Sequence, residues 1–278
     1  MTYDYPHLTV TVRDGVATVL IDNPPINLMT SGLFRSLAKV SVDLSKDDEV
    51  RVVVLRSANP EFFIAHFDVT AILEFPTNGE AVEEPELGGF DRMCEAYRTM
   101  GKVTIVELRG RVGGGGAELS SACDMRFGDL ETFQWNQMEV PLGILPGGGG
   151  TQRIPRLVGI GRAMEVVLGA DDVDAETAER WGFLNRAMSG DSLSAYVDAL
   201  ATRIASFPPA AVREAKRAVN ASVERSLDEG LKYESYLFQV LLRDVDAQPS
   251  MRQYLDAGGQ TRDVELRIGS VMGELFDT

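Results

Sequence analysis

The chain has 278 residues, with 27 lysines and arginines against 42 aspartates and glutamates, a formal charge of −15, and only two histidines and two cysteines. So few imidazoles and thiols exclude an ordinary zinc cluster and a disulfide framework, and the negative charge argues against nucleic acid, whose phosphates call for a basic footprint. With 44% hydrophobic and 25% charged residues and no apolar run approaching about 20 residues, this is the composition of a globular chain without a membrane span.

In chain order, two β-branched runs at 8–12 and 16–21 flank Arg13-Asp14-Gly15, which predicts a hairpin. Residues 31–44 place Leu33, Phe34, Leu37, Val40 and Leu44 at helical spacing. The runs at 50–55 and 103–108 are almost continuously apolar, as expected of strands buried on both faces. Strands alternating with helices predict an α/β class. Residues 75–89 carry Pro76, Gly79 and Pro85 among Glu80, Glu83, Glu84 and Glu86, the pattern of an exposed loop. Beyond Ser189 the character turns helical: Leu193, Tyr196, Val197, Leu200 and Ile204 form one stripe, Pro208-Pro209 break it, and Leu227, Leu231, Tyr236, Leu237, Val240 and Leu241 form another that needs a packing partner. The N-terminus lacks the basic and apolar regions of a secretory signal, and two unclustered cysteines fit a reducing compartment, so the expected location is the cytoplasm.

Glycine clusters at 113–116 and 147–150 match neither a P-loop nor a dinucleotide fingerprint. The first follows the strand at 103–108 and runs into a helix-forming segment from Ala117, with Glu118 expected in its first turn. Such a segment is either a tight structural turn or a set of unpaired N–H groups aimed at a polarised carbonyl oxygen. Spacing alone leaves both open. With histidine scarce, proton transfer falls by default to carboxylates, His7 and His66 being the only imidazoles.

Gly113-Gly114-Gly115-Gly116-Ala117-Glu118-Leu119 with Cys123-Asp124, then Met138-Glu139-Val140-Pro141-Leu142-Gly143 and Gly150-Thr151-Gln152-Arg153, resemble the crotonase (enoyl-CoA hydratase/isomerase) superfamily. The likeness extends through Phe63-Ile64-Ala65-His66-Phe67-Asp68 upstream and Ala178-Glu179-Arg180-Trp181-Gly182 downstream, covering roughly residues 8 to 200. The resemblance implies a spiral of repeated ββα units over residues 1–200 with the acyl-CoA site, and a C-terminal helical region over 201–278 that mediates homotrimers or hexamers. It implies an oxyanion hole from the backbone N–H groups of Phe67 and Gly115, and places Ala65, His66, Asp68 and Gly114 at the substrate. Glu118 and Glu139 match the family's two carboxylates, Glu118 to activate water and Glu139 to exchange the Cα proton.

The expected reaction is therefore hydration of a 2-enoyl-CoA to a 3-hydroxyacyl-CoA, with no metal and no cofactor beyond the CoA of the substrate. An enoyl-CoA isomerase, or a C–C lyase or hydrolase on the same scaffold, is the alternative, and a non-catalytic binding homologue a further one. His66 departs from the small residue the family usually has there, and it either shapes the pocket or acts on the substrate. Trp135 either narrows the acyl site or fills the core.

Overall fold

A computed structural model describes residues 3–276. In chain order the strands are β1 (Leu8–Arg13), β2 (Val16–Ile21), β3 (Val52–Ser57), β4 (Phe62–Ile64), β5 (Val103–Leu108), β6 (Arg111–Gly113), β7 (Met125–Asp129), β8 (Gln134–Asn136), β9 (Val173–Asp174) and β10 (Arg186–Met188). The helices around them are α1 (Ser31–Lys46), α2 (Val69–Leu73), α3 (Gly89–Thr99), α4 (Gly114–Ala122), α5 (Gly150–Val158), α6 (Ile160–Gly169), α7 (Ala175–Trp181) and α8 (Gly190–Ser206). The tail adds α9 (Pro209–Ala221), α10 (Leu227–Leu241), α11 (Ala247–Asp256), α12 (Arg262–Glu265) and α13 (Ile268–Glu274).

The strands form two sheets, one ordered β1-β2-β3-β5-β7-β10 and one ordered β4-β6-β8-β9. Each turn of the chain leaves one strand in each sheet, β3 then β4, β5 then β6, β7 then β8, before crossing back through helix. That is a spiral of ββα units, as expected. The hairpin β1–β2 is antiparallel, and β2, β3, β5, β7 and β10 run parallel to one another. Asp14 and Gly15 both take positive φ, the mirror-image turn whose twist matches a hairpin. β3 begins at Val52 rather than residue 50 because the amides of Arg51 and Val52 both turn to Gly15 O.

The apolar runs of β3 and β5 are explained by a core on each face. Val53, Leu55 and Val106 enter the larger core with α1, α3 and α4, while Val52, Val54, Val103 and Ile105 enter a second core under α8. Successive side chains of a strand point to opposite faces, so a doubly covered strand reads as one hydrophobic block. α8 contributes Leu193, Val197 and Ala201 to that second core, and residue 200 lies within this helix. α9 starts at Pro209, where a missing N–H costs nothing. Residues 75–88 form neither helix nor strand and are exposed throughout. Trp135 is fully buried and stacked on Phe183 with ring centroids 3.9 Å apart, so it belongs to the core and does not line the site.

Candidate functional site

The first glycine cluster is not a loop before a helix, as its sequence suggests. Gly113 ends β6, and Gly114, Gly115 and Gly116 are already the first turn of α4, which puts Glu118 in the second turn. Close approach accounts for the glycines: a Cβ on Gly116 would sit 2.6 Å from Ile64 O, and one on Gly113 would collide with Ala65 O. α4 can therefore start against β4 only without side chains. It has no side-chain cap, so its first amides are left for another acceptor.

Glu118 is 5% exposed. Its Oε1 accepts from the amides of Gly148 (2.7 Å) and Gly150 (2.9 Å), so the second glycine cluster folds over the carboxylate supplied by the first. A Cβ on Gly148 would lie 2.6 Å from Glu118 Oε2, and one on Gly150 3.1 Å from Oε1. Burial raises the carboxyl above its usual range, and the two N–H bonds offset part of that rise.

Glu139, just before the short 3₁₀ turn Val140–Leu142, is half-buried. Desolvation, and then the charge of Glu118, push its carboxyl up to about 7. Two nearby acids with displaced pKa values are suited to exchanging protons near neutral pH. With the Gln137 amide nitrogen turned toward it, Gln137 donates to Glu139 Oε2 at 2.9 Å.

The segment after β4 lays Phe67 against the start of α4. Phe67 bridges Met29, with Met29 N–H donating to His66 O and Asp68 N–H to Met29 O. This pattern leaves the Phe67 amide without an acceptor among the described residues. A Cβ on Gly115 would lie 3.5 Å from that nitrogen, so the Phe67 and Gly115 backbones abut. Gly114, at positive φ, sits between Glu139 and His66: a Cβ there would be 2.6 Å from Glu139 Oε1 and 3.3 Å from His66 Cβ.

His66 Nδ1 lies 2.8 Å from Phe67 O. A carbonyl only accepts, so Nδ1 carries a proton. Ala65 is buried in the same segment. Asp68 has a local task as well: its Oδ1 accepts from Thr70 N–H at 2.9 Å and caps α2.

Two residues of this site were not singled out by sequence reading, and a third, Arg153, entered only as part of the family motif. Gln137 is fully buried two residues before Glu139, and the Gln-x-Glu spacing is its only signal. Phe90 follows the acidic loop, packs edge-on against Phe67 (5.8 Å) and faces Gly115 and Gly148, so an aromatic wall covers the glycine contact. Arg153 reaches back to the Gly148 carbonyl. Among the described residues no group of three or more His, Cys, Asp or Glu is placed to hold a metal ion.

With this geometry the chain was compared with known proteins. A family model for enoyl-CoA hydratase/isomerase matches residues 11–261. The chain is 30% identical to a short-chain-enoyl-CoA hydratase of Clostridium acetobutylicum, over 87% of this chain and 91% of that protein. It is 29% identical to a crotonyl-CoA hydratase of Syntrophomonas wolfei, over 91% and 96%. Among solved structures, a candidate enoyl-CoA hydratase from Streptomyces avermitilis shares 38% identity over 98% of this chain and 99% of that one, with a TM-score of 0.71. An enoyl-CoA hydratase from Bacillus anthracis shares 25% over 91% and 97%, with a TM-score of 0.82.

Proposed function

The chain belongs to the enoyl-CoA hydratase/isomerase family, and from that premise we propose that it hydrates a 2-enoyl-CoA thioester to a 3-hydroxyacyl-CoA. The observation that supports this most is the pairing of Glu118 with Glu139, both raised above the usual carboxylate range, beside the unengaged Phe67 and Gly115 amides.

In this reading the thioester oxygen lies between the amides of Phe67 and Gly115. These stabilise the enolate oxygen as it forms, each donor contributing about 3 kcal/mol. Ionised Glu118 takes a proton from water, the hydroxide oxygen bonds to Cβ, and protonated Glu139 delivers its proton to Cα. The pair then holds its proton on Glu118 and resets by exchange with solvent. A carboxyl pushed up to about 7 is a usable acid at neutral pH, where an ordinary glutamate is fully ionised. The reaction needs no metal and no cofactor beyond the CoA of the substrate.

Ala65, His66, Asp68 and Gly114 border the acyl-CoA, and His66 shapes the space beside the oxyanion site. Residues 1–200 carry the site. Residues 201–278 assemble the chain into a homotrimer or a pair of trimers, a reading supported by the apolar side chains that α10 leaves exposed. No helix among the described residues is long and apolar enough to cross a membrane. Free, buried Cys94 and Cys123 support a cytoplasmic location.

The test is turnover of crotonyl-CoA, followed by loss of the conjugated thioester chromophore and by ¹⁸O incorporation from labelled water. Glu118→Gln and Glu139→Gln are each expected to lower kcat by at least about a hundredfold with unchanged circular dichroism. Near-normal turnover in either variant sinks the site assignment. Double-bond migration of a 3-enoyl-CoA without water uptake supports isomerisation instead.

A further inference from the structure

Arg153 stands on α5 and spans two acceptors. Its Nη1 donates to Gly148 O at 2.8 Å, and its Nη2 donates to Glu95 Oε1 on α3, also at 2.8 Å. The same Gly148 peptide donates its N–H to Glu118 Oε1 at 2.7 Å. One peptide plane is thus held at its oxygen by a guanidinium and at its nitrogen by the carboxylate. The neighbouring Gly149, at φ +98°, is where a Cβ would collide with Arg153 Nη1, so the loop leaves a side-chain-free slot for the guanidinium. Arg153 is itself only 14% exposed. Glu95 is in turn bridged by Arg98, which pairs with Glu224 beyond α9.

We propose that Arg153 is a positioning residue for Glu118: by clamping the Gly148 peptide against α3 it holds the amide that fixes the carboxylate in the geometry for activating water. The reading of the reaction rests on the proposed hydration; the clamp does not. An arginine suits this because its planar fork holds two nitrogens in fixed relation, one on the carbonyl and one on Glu95.

The other charges around Glu118 are few. From α3 it faces Asp91 and Cys94, with Glu95 beyond Arg153; from the segment after β8 it faces Glu139. β4 and β8 carry no titratable side chain, and Arg111 of β6 is paired with Asp172. Of these, Arg153 favours the ionised carboxylate, and Asp91 and Glu139 oppose it.

The experiment compares wild type, Arg153→Met, Arg153→Lys and Glu95→Gln. In Arg153→Met the acidic limb of the kcat/KM pH profile is expected to move up by about one unit, a tenfold change in proton affinity. There kcat falls about tenfold or more while KM changes less than about threefold. Arg153→Lys is expected to recover part of both. Glu95→Gln removes the nearer of the guanidinium's two carboxylate partners, leaving Asp91 at 3.9 Å, and keeps an oxygen for Arg153 to bond, so its limb stays at or below the wild-type value. Direct ¹³C NMR titration of Glu118 reads the same shift without turnover. An inactive wild type with the shift present therefore defeats the hydration reading alone. A Glu118 titration unmoved by Arg153→Met overturns the clamp. If Arg153→Met fails to fold, a Glu118 titration in Arg153→Lys that coincides with wild type, the charge being kept and the fork lost, overturns it instead.

Discussion

At the scale of single residues, the candidate site carries a carboxyl whose burial costs stability. Glu139 is half-buried, and its carboxyl is pushed up to about 7, above the value near 4.5 of an unfolded glutamate. The native state therefore holds its proton more tightly than the unfolded chain does. The associated stability is fully present below about pH 4.5 and is lost as pH rises through about 7. Replacing the acid by its neutral isostere removes that loss. Glu139→Gln is accordingly expected to be more stable than wild type at pH 8, by about 1–3 kcal/mol after allowance for the exposed part of the side chain, and nearly equal to it at pH 4.5. Thermal unfolding at the two pH values checks this, and a pH-independent difference argues against a strained acid. His66 poses the complementary question. With Nδ1 committed to Phe67 O, its ring is held beside Gly114. His66→Gly is expected to keep turnover within about tenfold on crotonyl-CoA while changing the preference between short and longer acyl chains. Loss of a hundredfold on every chain length would make the imidazole a participant in the chemistry.

At the scale of elements, α4 is the part on which the site depends, and its start is set by contact more than by helix propensity. Three successive glycines are poor helix formers, yet they open a nine-residue helix, Gly116 with no room for a Cβ against Ile64 of β4 and Gly114 close against Glu139 and His66. Gly116→Ala would press a methyl 2.6 Å from Ile64 O and 2.7 Å from Ile64 Cβ. It is expected to cost about 1–3 kcal/mol and to lower the melting temperature despite alanine's better propensity; a neutral or raised value would show that the helix start can shift. The same element shows what the sequence could reveal. β2 and β5, the hairpin and both stripes of the helical tail follow from period and turn residues read along the chain. Glu118 and Glu139 were legible through the resemblance and the glycine context. The rest depends on contacts between distant segments: the 147–150 loop folding back over Glu118, the Arg153 guanidinium filling the slot at Gly149, and Phe90 covering Gly115. No local spacing encodes those approaches. Trp135 read from the sequence as a pocket or a core residue, the core being the more ordinary case, and its stack on Phe183 places it in the core.

At the scale of the whole molecule, the two halves of the chain face solvent differently. The spiral buries its central strands β3 and β5 from both sides, whereas α10 buries little more than Leu237 and exposes Leu227 (79%), Leu231, Tyr236 and Phe238 (62%). Val219 and Val223 near the end of α9 are exposed as well. A net charge of −15 opposes association through long-range repulsion, so any assembly must draw on this apolar surface locally. If the proposed trimer or hexamer uses it, folding and association are linked, and the melting temperature rises with protein concentration. Sedimentation equilibrium of wild type is expected to give three or six chains. Leu231→Asp with Phe238→Asp places two more negative charges on the same helix, and is expected to release monomers whose melting temperature no longer depends on concentration. An unchanged mass in the double variant would move the interface elsewhere. The relay from Arg153 through Glu95 and Arg98 to Glu224 ends beside these helices. The monomeric variant is therefore also expected to lose turnover severalfold at concentrations where it remains folded.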